Sequence, residues 1–191
     1  FYGIRRCESL QHSTSLPAAP TGSSSAYACQ TDDMALGEHG YALTATWTGN
    51  LGSGTSGYRD YSRDVTIEVD GKAPLAASAD KPFRGDPTRW NPEDLLMAAL
   101  AECHLLSYLH ACVTAGVNVV SYRDTASGTM VEDGRSGGAF REVVLHPHVV
   151  VAEASMIDAA QRAHGDAHRM CFIANSVNFP VRHEATVGAV R

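Results

Sequence analysis

The run Asn91-Pro-Glu-Asp-Leu-Leu-Met-Ala-Ala-Leu-Ala-Glu-Cys-His-Leu-Leu, continuing to Val113, constrains this chain more than any other segment. Asn91 is placed to cap a helix, Pro92 suits the first helical position, and Glu93 and Asp94 favour the positive end of the helix dipole. Leu95, Leu96, Leu100, Cys103, Leu106, Leu109 and Val113 leave little polar surface on any side, so the spacing predicts a helix to about Gly116 that is buried all round. Such a helix belongs at the centre of the fold, with other elements wrapped about it.

The flanking segments read as those elements. Tyr41, Leu43, Ala45 and Trp47 alternate with Ala42, Thr44, Thr46 and Thr48, as in a half-buried strand; a glycine-rich connection over 49–57 then leads to a return strand with Val65, Ile67 and Val69. Asp70-Gly71 marks a turn into a third short strand, Leu75 to Ala79. After the helix, two long strands are predicted over Val117 to Met130 and Phe140 to Val151. A helix capped by Ser155 runs to about Met170, and a closing strand spans Val181 to Val190. The expected class is α+β.

Residues 1–36 differ: Ser, Thr, Ala and Pro dominate, hydrophobic periodicity is absent, and the chain begins with Phe1. They read as an appendage to a domain over 37–191, either a non-native leader or the remnant of a targeting segment. Cys7 and Cys29 fall there and are expected to be incidental thiols. The net charge of -6, from 21 acidic and 15 basic residues without a basic cluster, argues against a nucleic-acid partner. Glu93, Asp94, Glu102 and two histidines interrupt the apolar run over 91–113, so a soluble protein without a membrane partner is expected. Five cysteines without CxxC spacing fit a reducing compartment. The cytoplasm is the expected location, with the mitochondrion as the alternative if residues 1–33 are a targeting segment.

Two cysteines have unlike surroundings: Cys103 inside the apolar helix and Cys171 at the end of the second. A thiol in each place suggests dithiol redox chemistry, although a lone cysteine in an apolar helix is more often an inert core residue. Burial raises a thiol pKa, so a nucleophilic Cys103 needs a cation nearby. Arg84, Arg89, Arg59 and Arg63 precede the helix as candidates. Glu93 and Cys103 are ten positions apart, about 15 Å along a helix and on different faces, so they cannot touch within one chain. Trp90, Leu96, Phe140, Phe172 and Phe179 could form an apolar pocket, with core packing the expected role for most. His104, Cys112, His164 and His168 lack the spacing of a zinc site, and no metal is expected.

The pattern from Asn91-Pro92-Glu93-Asp94-Leu95-Leu96 to Cys103, followed by Ala167-His168-Arg169-Met170-Cys171 and a closing strand, resembles the OsmC/Ohr family of thiol peroxidases, in particular its OsmC-like branch. The resemblance runs from about Tyr41 to the end. It implies antiparallel sheets wrapping central helices in an intertwined homodimer, and reduction of organic hydroperoxides without a cofactor. By it, Cys103 would be the peroxidatic cysteine, Cys171 the resolving cysteine with which it forms a disulfide, and Glu93 and Arg84 their partners. Arg59 and Arg63 remain alternatives to Arg84, because the Ohr branch takes its arginine from the first hairpin. An external dithiol, typically of lipoyl type, would complete turnover. Phe172 departs from the family, where proline often follows the second cysteine. Two rival expectations are an OsmC-like protein that binds a small ligand or senses oxidants without efficient turnover, and a structural dimer with inert cysteines.

Overall fold

In the computed structural model, which describes residues 37–135 and 137–190, the central helix begins where its capping residues put it. Asn91 caps α1 (Pro92–Thr114): its Oδ1 accepts from the Asp94 backbone N–H at 2.7 Å and its Nδ2 donates to Asp94 Oδ2 at 2.9 Å. The other end closes as a Schellman turn. Gly116, at φ 68°, lets the Val117 N–H reach the Cys112 carbonyl at 2.8 Å.

Burial of α1 on every side does not hold within one chain. Leu100, His104, Tyr108, Ala111 and Cys112 recur every three or four residues and are buried, whereas Leu106, Leu109 and Val113 are 58%, 37% and 78% exposed. The second helix, α2 (Ile157–Met170), lies along the buried face, and the opposite stripe is left open. By length and composition alone α1 would suit a membrane span; here it is the packing partner of α2. Ser155 does not cap α2 as expected. A 3₁₀ turn over Ala154–Met156 precedes the helix, and Ser155 Oγ donates to Glu153 Oε2 at 3.3 Å instead.

Before α1, strands β1 (Thr44–Trp47), β2 (Val65–Glu68) and β3 (Leu75–Ala77) form an antiparallel sheet in chain order. All four residues of β1 are exposed rather than half-buried, because within one chain its alternating face has no core to meet. The Ser78 N–H donates to the Trp90 carbonyl at 2.8 Å and ties this sheet to the start of α1.

The two long strands expected after α1 are each split in two: β4 (Val119–Asp124) and β5 (Ser127–Glu132), then β6 (Gly138–Leu145) and β7 (Pro147–Val151). The closing strand is likewise divided into β8 (Val181–His183) and β9 (Thr186–Ala189). One sheet has the order β4-β7-β9 and the other β5-β6-β8; β4–β7 and β5–β6 pair antiparallel, while β9 and β8 add in parallel. Each ribbon therefore passes from one sheet to the other. The Asp124 carboxylate accepts from the His146 backbone N–H at 2.7 Å and fixes the crossing.

Two apolar clusters result. Tyr108, Ala111, Cys112, Val149, Val151, Ala160, Ala163 and Ala167 join the helices to the β4-β7-β9 sheet; Leu100, Val143 and Leu145 join α1 to the β5-β6-β8 sheet. Contacts divide the chain into Phe1–Tyr41 and Ala42–Arg191. The expectations for residues 1–36, with Cys7 and Cys29, lie outside the described residues.

Candidate active site

Apolar periodicity on α2 positions the two thiols. Ala160, Ala163, His164 and Ala167 lie on one face and are buried against α1, so the C-terminal end of α2 meets the middle of α1. Cys103 is half-buried there, and Cys171, at the C-cap of α2, is 1% exposed. Their side chains are within hydrogen-bonding reach of one another, and both are free thiols in the structure.

Residues 172–176 fold back over the end of α2 and hold Cys171 in place. The Asn175 N–H donates to the Cys171 carbonyl at 3.0 Å, Asn175 Nδ2 to the Arg169 carbonyl at 3.1 Å, and the Ala174 N–H to Cys171 Sγ at 3.4 Å. Burial first, and the hydrogen bond with Cys103 second, push the Cys171 thiol up to about 11 against the opposing Ala174 N–H. Cys171 is thus a protonated thiol at neutral pH. Cys112, nine positions from Cys103, is also buried, and burial raises it too.

The structure does not bring Glu93 or Arg84 to this pair. Glu93 stands in the first turn of the continuous α1, about 15 Å along the axis from Cys103. Its Oε2 is buried and has no hydrogen-bond partner. Arg84 is exposed in the loop before α1, with its guanidinium 5.7 Å from the centre of the Tyr58 ring. It is the one non-glycine among the described residues with positive φ, at 65°. Arg63 donates to the carbonyls of Tyr58 and Tyr61, both at 2.9 Å, and lies 4.2 Å from the Tyr61 ring centre. Arg89 pairs with Asp64 at 3.6 Å and Asp86 at 3.5 Å. Arg59 is exposed. Among the described residues of one chain, no arginine hydrogen-bonds either thiol.

A histidine cluster that the sequence spacing does not announce lies beside the thiols. His104 Nε2 and His164 Nδ1 are 3.1 Å apart in the buried α1–α2 interface. The two rings are parallel within 4°, and their centres are 5.4 Å apart. A centre-to-centre distance that exceeds the N···N distance by about two ring radii places the rings edge to edge in one plane, joined by a linear hydrogen bond. Tyr108 stacks on the face of His164 at 4.0 Å, and His183 of β8 lies 5.4 Å and 5.6 Å from His104 and His164. His168 completes the group 6.0 Å from His183. Burial above all holds His104 down at about 4 and His164 at about 3, so both are neutral at pH 7. With their facing nitrogens bonded to each other, His104 and His164 cannot offer those lone pairs to one ion. Among the described residues, no group of three His, Cys, Asp or Glu is arranged to hold a metal.

Of the aromatic and aliphatic candidates for an apolar pocket, Leu96, Phe140 and Phe179 pack around Leu100, Val143 and Leu145. Phe172 is exposed and Trp90 largely so.

Two sheets wrapped on a helix pair that brings two free thiols together define an α+β dithiol protein. The family model described as OsmC-like protein matches residues 85–186, more than half of the chain, and the chain belongs to that family. An OsmC-like protein of unknown function from Vibrio cholerae is similar over 78% of this chain and 100% of its own, with 30% identity and a TM-score of 0.69. An organic hydroperoxide resistance protein OsmC from Legionella pneumophila matches 80% of this chain and 100% of its own at 19% identity, TM-score 0.58. An organic hydroperoxide resistance protein from Elizabethkingia anophelis matches 80% of this chain and 99% of its own at 21% identity, TM-score 0.57. No curated protein matches the chain.

Proposed function

We propose that this protein is a thiol-dependent peroxidase that reduces organic hydroperoxides to alcohols. The observation that carries the reading is the meeting of a half-buried Cys103 with a buried Cys171 in a member of the OsmC-like family. The Cys103 thiolate attacks the outer oxygen of the hydroperoxide and the O–O bond breaks. The departing alkoxide takes a proton and leaves as alcohol, and Cys103 becomes a sulfenic acid. The Cys171 thiol then condenses with the sulfenic acid, forming the Cys103–Cys171 disulfide and releasing water. An external dithiol reduces that disulfide by exchange and is itself oxidised.

The cation that favours the thiolate comes from a second copy of the chain in a homodimer. Three features support this assembly: the exposed stripe Leu106, Leu109 and Val113 on α1, the uncovered faces of β1, and the buried Glu93 Oε2 that lacks a partner. Glu93 orients an arginine, Arg84 in the leading assignment and Arg59 or Arg63 otherwise, over the Cys103 of the other subunit.

Steady consumption of cumene hydroperoxide with a dithiol reductant tests the reading. Cys103→Ser should abolish turnover, and Cys171→Ser should permit one turnover and then overoxidation of Cys103, seen by mass spectrometry. Sustained activity in Cys103→Ser would refute the assignment. The second reading, a ligand binder or oxidant sensor, draws on the absence of an arginine at either thiol among the described residues of one chain. It predicts consumption that stops after about one equivalent of peroxide.

A further inference from the structure

The α1–α2 interface around the thiols is built largely from Ala160, Ala163 and Ala167 set against Tyr108, Ala111 and Cys112. A row of alanines packs closely but presents a nearly smooth ridge, so it sets the distance between two helices better than it sets their axial register. A directional polar bond within an apolar seam does set register, as a buried asparagine does in a coiled coil. Here such a bond joins the helices, His104 Nε2 to His164 Nδ1 at 3.1 Å.

We propose that the His104–His164 hydrogen bond is a register pin that holds α2 on α1 so that Cys171 stands within bonding reach of Cys103. His104 adjoins Cys103 in sequence, and Cys171 follows His164 by seven residues, two helical turns along nearly the same face of α2. Fixing one end of so short a rod fixes the other. A disulfide needs Cα atoms about 4.4 to 6.8 Å apart, and a slip of α2 by one turn moves it about 5.4 Å, which separates the pair. His164 Nε2 is buried without a partner, so the bond from Nδ1 to His104 is the polar anchor of that ring. Its other neighbours, the Tyr108 and His183 rings, make face and tilted contacts that carry no comparable direction.

His104 and His164 are positioning residues on this view, and their role deepens the peroxidase reading and rests on it for its use. The test is the equilibrium of the reduced protein with glutathione redox buffer, read by thiol labelling, which reports the Cys103–Cys171 pairing without peroxide. His164→Ala should lower the equilibrium constant for the intramolecular disulfide at least tenfold. The atoms of the bond name their own rescue: an asparagine amide occupies the place of Nδ1 and a glutamine amide that of Nε2. His164→Asn and His104→Gln should therefore stay within about threefold of wild type. His164→Gln and His104→Asn, with the same groups in the wrong places, should resemble alanine. Circular dichroism and thermal melts show which variants remain folded. An unchanged equilibrium in a folded His164→Ala, or folded amide variants that all behave alike, would overturn the pin. A wild-type protein that forms the disulfide with glutathione but consumes no peroxide would end the peroxidase reading and leave the pin standing.

Discussion

Arg84 shows how a single residue can be held against its own backbone preference. It ends a 3₁₀ turn over Lys81–Phe83 in the left-handed region, with its N–H on the Lys81 carbonyl at 3.0 Å; the next N–H, of Gly85, reaches the Asp80 carbonyl at 3.1 Å. A Cβ on Gly85 would lie 1.5 Å from the Ala79 carbonyl oxygen, so the loop cannot shift its glycine by one place to relieve Arg84. The left-handed conformation costs an L-residue about 1–2 kcal/mol, more than the roughly 0.5–1 kcal/mol of extra unfolded-chain entropy that glycine brings. Arg84→Gly should thus melt at or above the wild-type temperature, while Arg84→Ala should keep the strain. If Arg84 is the cation of the thiol site, both variants should slow single-turnover oxidation of Cys103 at least tenfold. A wild-type rate in Arg84→Ala would pass the role to Arg59 or Arg63. The pairing of Cys103 with Cys171 came from the family resemblance of the segments around them; their places mid-helix and at a helix end only suggested dithiol chemistry. The His104–His164 bond was not legible, since 60 positions separate its partners and neither has a spacing that signals the other.

At the scale of elements, α1 has one face committed to α2 and another committed to nothing in its own chain. Its ends could be read directly: the Asn91 cap, Pro92 at the first helical position and Gly116 beyond the last turn are local features, and the structure uses all three. Its burial could not, because a sequence records that Leu106, Leu109 and Val113 are apolar but not whether the covering surface belongs to the same chain. The division of the later strands was hidden for a related reason. The crossing rests on Asp124 and His146, 22 positions apart, and Pro147 at the start of β7 is the local mark of it that the continuous apolar run obscured. The proposed dimer gives the open stripe a measurable consequence. Leu106→Glu should leave the far-UV circular dichroism of the protomer intact and shift the sedimentation coefficient from dimer toward monomer. Peroxide turnover should fall more than tenfold with it. A monomeric variant with full turnover would show that each chain holds a complete site.

Whole-molecule behaviour separates the assembly from the histidine core. If Glu93 serves the cysteine of the opposite subunit, Glu93→Gln and Cys103→Ser proteins, each weakly active or inactive alone, should regain activity when unfolded and refolded as a mixture. A mixed dimer then has one site with both intact residues, and no recovery would show that Glu93 does not serve the cysteine of the opposite subunit. The histidine core makes a different demand, on stability against pH. Burial is the first cause that lowers His104, His164 and His183, and the mutual proximity of their charges and that of His168 is the second. In the unfolded chain each returns to about 6.5, whereas in the fold His104 stays neutral to about 4 and His164 to about 3. Between those limits the unfolded state binds more protons, so stability rises with pH there. The contribution is complete above the unfolded value and is lost as pH falls from about 6.5 toward 4 and 3. Each histidine supplies up to about 1.4 kcal/mol per pH unit, and the pair about 3 kcal/mol between pH 6.5 and 5. Asp124, which burial raises, acts in the opposite sense, from the ordinary carboxylate range upward. Urea denaturation across that window should show the loss in the wild type, and a protein with His104→Gln and His164→Asn together should show a much flatter profile. Equal slopes in the two proteins would assign the acid sensitivity to groups outside the α1–α2 seam.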